Sequence, residues 1–412
     1  MQHIKKILVV FCVLRFAFCM QSQVNLVKNP SFEQLKGCPN NYFQADTAMY
    51  WGWLNNQCTS SGGGNADIFT SCCTNQSACG MPSNVLGYQK ARTGNTYIGI
   101  CAICSLTYPI GGNSRNYLKG ALNSTLISGN NYCLTFYYST ANLDKVVVNQ
   151  FGIYIDNGAI SSYTCNESIP VTPQVQNNPS FFMTDTLNWV KIQGIYVATG
   201  NENTITIGNF ADSISTQTQS FNSSGGDDPF YFIDDISIVP IDLAAYAGHD
   251  TSITQNDSAY IGRASEVGLD DDCVWYILGN TTAIDTIAGM WVKPSATTSY
   301  LVEQNICGTV SYDTVVVNVS PLGINKLSVN DKQLIVYPNP SSGELFISGS
   351  DLTEKKWNIE ITDVTGRIVL QNKYAVTNGL VKLNTQLIDG VYFVRVITSS
   401  GFIKQQKVII TN

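Results

Sequence analysis

The chain has 412 residues, a formal charge of −7 and only 13% charged residues, about half the usual ~25%. That length points to two to four domains. The acidic balance argues against nucleic acid or an anionic membrane as partner, because both need clustered Lys and Arg. With 21 Tyr and 17 Phe among abundant Asn, Ser, Thr and Gly, the composition is that of an exported β-rich protein and not of a cytosolic enzyme.

The chain opens with "MQHIKKILVVFCVLRFAFCMQS". Lys5 and Lys6 precede an apolar run from Ile7 to Met20, interrupted by Arg15. This is the layout of a signal peptide over residues 1–22, cut near Ser22. The run is too short to span the ~30 Å hydrocarbon core as an anchor. Thirteen cysteines are present: Cys12 and Cys19 in this leader, nine from Cys38 to Cys165, then Cys273 and Cys307. Such density implies an oxidising compartment and structural disulfides. Nine is odd, which leaves one thiol over, and the connectivity stays open. Cys101-Ala-Ile-Cys104 has the spacing of a zinc or redox pair, but in a His-poor exported domain structural pairing is the better reading.

Residues 23–241 hold short strand-like runs such as "YCLTFYYST", "QFGIYID", "WVKIQGIYVA" and "NTITIGNF", separated by Gly, Asn and Ser. Their alternation and aromatic content predict strands, and no long helical period appears. A large jelly-roll β-sandwich is expected. The segment opens with "NLVKNPSFEQ" and closes with "FYFIDDISIVPI", and in this it resembles the galactose-binding-like jelly rolls of carbohydrate-binding modules. That resemblance implies that the first and last strands meet and that Glu33, Asp234 and Asp235 hold a structural calcium ion (Ca2+), a hard cation suited to carboxylates. "GCPNN", "WGW", "NADIFTSCC", "MPSNVLGYQKARTGNTYIGI", "TPQVQN" and "ITIGNF" also follow the order of an exported Bacteroidota domain. That domain stands at the front of cell-surface proteins linked to adhesion or gliding, and no established activity comes with it.

Residues 242–320, from "AYAGHDTSITQNDSAYIG" to "DTVVVNV", resemble an Ig-like or PKD-like sandwich, a module that usually serves as a spacer. A Cys273–Cys307 disulfide is expected within it. Residues 321–333 form a polar linker with Pro and Gly.

Residues 334–412 predict a small sandwich of about seven strands. Pro338, Asn339 and Pro340 stiffen its opening and Gly343 permits the turn. "IEITDVTGRIVL" is a hairpin around Asp363, Gly366 and Arg367, and Gly390 begins "GVYFVRVIT", which carries Tyr392. These motifs, in this order, resemble the type A C-terminal sorting domain of the type IX secretion system. The resemblance implies a Gram-negative Bacteroidota host and passage through the periplasm and across the outer membrane. It also implies removal of the domain by a sortase, with the cargo attached to surface lipopolysaccharide or released. Six Asp-Ser/Thr-apolar triplets, with acceptors Thr47, Thr186, Ser213, Ser258, Thr286 and Thr314, resemble the O-glycosylation signal of that phylum.

Catalytic chemistry finds little purchase. After the leader the only histidine is His249, with no nucleophile motif beside it and too few partners for a His-based zinc site. No phosphate loop or dinucleotide fingerprint occurs. Glycoside hydrolysis needs only two carboxylates, and Asp227, Asp228, Asp234 and Asp235 are candidates, but their density reads better as turn and calcium chemistry. Sugar binding fits better. Tyr50, Trp51 and Trp53, followed by Asn55, Asn56 and Gln57, form one aromatic–amide set, and Tyr137 with Tyr138 a second. The competing reading places Trp53 and at least one tyrosine in the core. The expectation is an all-β, non-enzymatic surface or secreted protein that binds glycans or mediates adhesion. The alternatives are a gliding-associated structural protein and a glycoside hydrolase.

Overall fold

The computed structural model describes residues 24–56, 66–104, 114–163, 167–320, 334–349, 355–397 and 403–411. The leader, the linker, Gln57, Cys58 and Cys165 lie outside the described residues. The chain is all-β and divides into two compact units, Met1–Pro321 and Leu322–Asn412.

The first unit contains a sandwich of two five-stranded antiparallel sheets. One runs Val190–Val197, Asn131–Thr140, Phe230–Pro240, Thr96–Cys101, Asp67–Thr70. The other runs Trp51–Trp53, Leu118–Ala121, Thr204–Gly208, Gly152–Asp156, Val175–Gln176. Their inner faces share one apolar core that includes Ile98, Phe136, Ile153, Ile207 and Ile233.

The Asn131–Thr140 strand is buried along nearly its whole length, because both of its faces are covered. Leu134, Phe136 and Tyr138 enter the sandwich core. Cys133, just before them, belongs instead to a second core that continues into residues 242–320. The neighbouring Phe230–Pro240 strand changes parity midway. Ile233 and Ile236 both point inward because a bulge lies between Asp234 and Ser237. An extra residue in one strand shifts which side chains face the core.

The second sandwich pairs Thr251–Thr254, Thr309–Ser320, Thr298–Ile306, Cys273–Ile277 and Ala283–Asp285 in one sheet, with a ribbon of Ala259–Gly262 and Gly289–Val292. Trp275 is fully buried at its centre and donates its indole N–H to the Ile287 carbonyl at 2.7 Å. This sandwich is built onto the first. The Glu266 carboxylate accepts the Val24 and Asn25 backbone N–H groups at 3.1 and 2.8 Å. Asn25 Nδ2 donates to the Ile236 and Val267 carbonyls, each at 3.0 Å. Gly268, at φ +88°, runs so close to Ser237 that an added Cβ would sit 2.3 Å from the serine Cβ; both space and backbone require glycine there.

The expected Cys273–Cys307 disulfide is not formed. Cys307 pairs with Cys133 of the first sandwich, and Cys273 is a buried thiol. Cys273 lies directly across from Gln304 within one sheet. Cys307 lies beyond that strand, in the turn before Thr309 with φ +50°, and there it meets Cys133. Cys38–Cys72 and Cys73–Cys79 are also bonded, whereas Cys101 and Cys104 are thiols.

The second unit packs a three-stranded sheet (Leu334–Tyr337, Glu344–Gly349, Leu380–Asn384) and a four-stranded sheet (Ile368–Ala375, Lys356–Asp363, Gly390–Ile397, Ile403–Ile410) around fully buried Trp357. Inward residues alternate: Ile359 and Ile361 on one strand, Tyr392, Val394 and Val396 on the next.

Candidate functional site

The two aromatic sets read from the sequence do not form one surface. Trp51 is 4% exposed. Its indole N–H is shared by the Lys28 and Asn29 carbonyls at 3.1 and 2.9 Å, and its ring meets Phe32 edge-on at 5.0 Å. Trp51 thus plugs the turn made by "NPSF" and is part of the core. Tyr50 is exposed with Lys28 over its ring, and Trp53 is half-buried. Tyr137 is buried under the Arg92 guanidinium, 3.5 Å from its ring centroid. Tyr138 reaches a cavity.

That cavity, of about 350 Å³, lies where the Val190–Val197 strand of one sheet nears Gln176 at the edge of the other. Tyr138, Gln176, Asn177, Phe181, Phe182 and Gln193 line it. Its wall is held firmly. Asn177 Oδ1 accepts the Phe151 N–H at 2.8 Å, Asn177 Nδ2 donates to the Asn149 carbonyl at 2.9 Å, and the Met183 N–H donates to the Val148 carbonyl at 3.1 Å. On this fixed frame Phe181 is 68% exposed, and Gln176 and Gln193 face solvent. Lys191 also lines the cavity, but its ammonium is paired with Asp272 at 2.7 Å. The result is a cleft with a bare aromatic ring, several amides and a neutralised cation. Such a surface suits a neutral, hydroxylated ligand. The sequence signal was "QVQNNPSFFM", two phenylalanines set among amides in a loop.

The carboxylates assigned to calcium are brought near one another but are already engaged. Asp234 and Asp235 are 0% and 1% exposed. Asp234 Oδ2 accepts the Arg92 and Thr93 backbone N–H groups at 2.9 and 3.4 Å. Asp235 accepts the Thr93 hydroxyl at 2.6 Å and the Arg92 guanidinium at 2.5 Å. Glu33 accepts the Asn95 N–H at 2.8 Å. Burial pushes the Asp234 carboxyl well above its ordinary range, with Asp235 adding to the rise. Among the described residues no group of three or more His, Cys, Asp or Glu side chains converges on a metal position. The residues present therefore do not make a calcium cradle. Asp227 is exposed and paired with Lys145 at 3.1 Å.

In the second unit the motif residues have clear local tasks. Asn339 Oδ1 accepts the Ile409 N–H at 2.8 Å and its Nδ2 donates to the Lys407 carbonyl at 2.9 Å. The Ser341 backbone bonds to Ile409 and Thr411 at 2.9 and 2.8 Å. The Pro338–Pro340 opening thus lies along the Ile403–Ile410 edge strand and pairs its free groups, a protection that edges need. Gly343, at φ +105°, lets the chain turn back beneath it. Asp363 Oδ1 accepts the Thr365 hydroxyl and the Thr365 and Arg367 N–H groups at 2.6, 3.0 and 3.1 Å, while Oδ2 pairs with the Arg367 side chain at 3.0 Å. These bonds, the Thr365 hydroxyl foremost, hold the Asp363 carboxyl down at about 2. Gly366 takes φ +83° in the same turn. Tyr392 is buried and donates its hydroxyl to the Ile388 carbonyl at 3.0 Å, next to Gly390 at the strand start.

No curated protein matches the chain. Among solved structures, the Drosophila OTK extracellular domains 3–5 align at 12% identity, covering 69% of this chain and 92% of that one, with a TM-score of 0.19. Chicken CNTN1 domains FN1–FN3 align at 13% identity, covering 52% and 83%, with a TM-score of 0.16. Dimeric latent PorU from Porphyromonas gingivalis aligns at 12% identity over 72% of this chain and 31% of that one, with a TM-score of 0.16. At such scores these likenesses carry no argument. Among the described residues no helix is long and apolar enough to cross a membrane. Residues 335–411 match the family described as "Secretion system C-terminal sorting domain", so the second unit carries a type IX sorting tail and the chain is an exported protein of the cell surface or the medium.

Proposed function

We propose that the protein is a non-enzymatic, glycan-binding adhesive cargo of a Gram-negative Bacteroidota cell, delivered by a sorting tail that a sortase removes. The cargo is then held on surface lipopolysaccharide or released. The observation that carries the binding half of this reading is the Phe181 cleft. A pyranose presents an apolar C–H face and a rim of hydroxyls, and the cleft offers an exposed ring beside the exposed amides of Gln176 and Gln193. Against hydrolysis stands the engagement of the candidate carboxylates: Asp227 is tied to Lys145 and Asp235 to Arg92. Four triplet acceptors, Ser213, Ser258, Thr286 and Thr314, are exposed for the glycosylation that the phylum resemblance implies.

A glycan array probed with the exported cargo tests the reading. The expected result is retention of neutral glycans that falls at least tenfold, about 1.4 kcal/mol, in Phe181→Ala with the melting point unchanged. An array without binding favours the structural, gliding-associated alternative. Sugar release that is abolished by Asp227→Asn or Asp228→Asn would establish the hydrolase instead.

A further inference from the structure

We propose that Arg92 is a built-in cation that takes the place of a metal at the Asp234–Asp235 bulge and, with the same guanidinium, fastens the second sandwich to the first. Two adjacent buried carboxylates need a compensating charge and hydrogen bonds. Here both come from one loop. The Arg92 and Thr93 backbone N–H groups cap Asp234, the Thr93 hydroxyl and Arg92 Nη1 serve Asp235, and the Asn95 N–H holds Glu33. Gly94 brings this loop so close to Glu33 that an added Cβ would lie 2.4 Å from the carboxyl carbon.

The second arm of the fork does different work. Arg92 Nη2 reaches Asp271 of the second sandwich at 2.5 Å, and Tyr137 donates its hydroxyl to the same Asp271 oxygen at 3.0 Å. The guanidinium lies over the Tyr137 ring at 3.5 Å. One planar cation therefore meets the bulge, an aromatic face and the neighbouring sandwich together, which a lysine ammonium cannot do. Calcium needs six to eight oxygen ligands. The oxygens at this bulge are occupied by N–H and O–H donors, and a fixed positive charge already stands among them. The wild-type chain is accordingly indifferent to calcium.

The test is thermal unfolding of the exported chain in EDTA and in millimolar calcium, with terbium luminescence as a direct report of metal near Tyr137. Wild type is expected to unfold at one temperature in both buffers and to give no terbium signal. Arg92→Gln, which leaves the buried carboxylates without their cation, is expected to unfold roughly 5–10 °C lower in both buffers. Arg92→Lys keeps the charge without the fork; it should unfold lower than wild type yet ignore calcium, and it decides the matter together with wild type if Arg92→Gln does not fold. A wild-type or Arg92→Lys midpoint that rises with calcium overturns the proposal, as does an Arg92→Gln chain that unfolds at the wild-type temperature.

Discussion

Trp275 and Trp357 are both fully buried at the centres of sandwiches, but the sandwiches around them are stabilised in different ways. Around Trp275 the apolar core runs on into the first sandwich through Val239 and Cys133, a disulfide closes a separation of 174 residues, and a half-buried arginine bridges two aspartates. Around Trp357 there is no cysteine, and the core rests on strict alternation along neighbouring strands. The cargo thus relies on covalent and ionic ties that depend on oxidation and on contacts distant in sequence. The sorting module relies on a local pattern that is complete within its own strands. A segment that export machinery must read gains from folding without disulfides.

The sharpest way to break this comparison is Cys133→Ser. The chain-entropy estimate for a loop of this length is about 5 kcal/mol, so the cargo should lose several degrees to more than ten in calorimetry. Cys273→Ser should leave the midpoint close to wild type, because that thiol closes no loop. A large loss from Cys273→Ser with none from Cys133→Ser would restore the pairing first expected from sequence. Next in size is Trp357→Ala, expected to cost about 3–5 kcal/mol. Its readout is the sorting module's protease resistance and the fraction of protein reaching the surface, with the cargo's own melting unchanged.

Protonation sharpens the contrast, since Asp144 in the first unit and Asp363 in the second are shifted in opposite directions. Burial raises the Asp144 carboxyl of the first unit from 3.8 to about 8. With the folded value above the unfolded one, its stabilisation is complete below the unfolded value and is lost as pH rises toward the folded one. Asp144→Asn keeps an acceptor for the Phe230 N–H, which Asp144 Oδ2 now takes at 2.6 Å, and should flatten that slope in pH-dependent unfolding. The smallest effect belongs to Asp363 in the sorting module. Its carboxyl is depressed from 3.8 to about 2. It stabilises the turn above the unfolded value, and that contribution fades as pH falls toward the folded one. An NMR titration of Asp363 should show the depressed midpoint, and Thr365→Ala should move it back up.

How much of this was legible in the sequence follows the same division. The sorting module could be read almost whole, because each strand is covered on one face and shows its parity directly, as in Tyr392, Val394 and Val396. In the first unit the strands were legible but the joint was not. "NYCLTFYYST" shows an unbroken buried run, and nothing in it says that Cys133 faces a different core from Leu134. "FIDDISI" marks the bulge only in retrospect, through inward Ile233 and Ile236. Cys307 was matched with the nearer cysteine, because spacing along the chain does not reveal that a turn faces another sandwich. Trp51 was mistaken for a ligand platform, since an indole that satisfies its N–H on the Lys28 and Asn29 carbonyls looks no different in sequence from one left bare.

The central claim is that the last unit is an address and the first is the working cargo. Intact-mass and terminal-peptide mapping of the protein recovered from cells and from medium tests it most directly. The account predicts loss of the first 22 residues and of the segment matching 335–411, with the remaining chain whole and Cys133 still bonded to Cys307. Mature protein that keeps residues 335–411 on the surface would contradict it, and the Trp357 sandwich would then belong to the working protein.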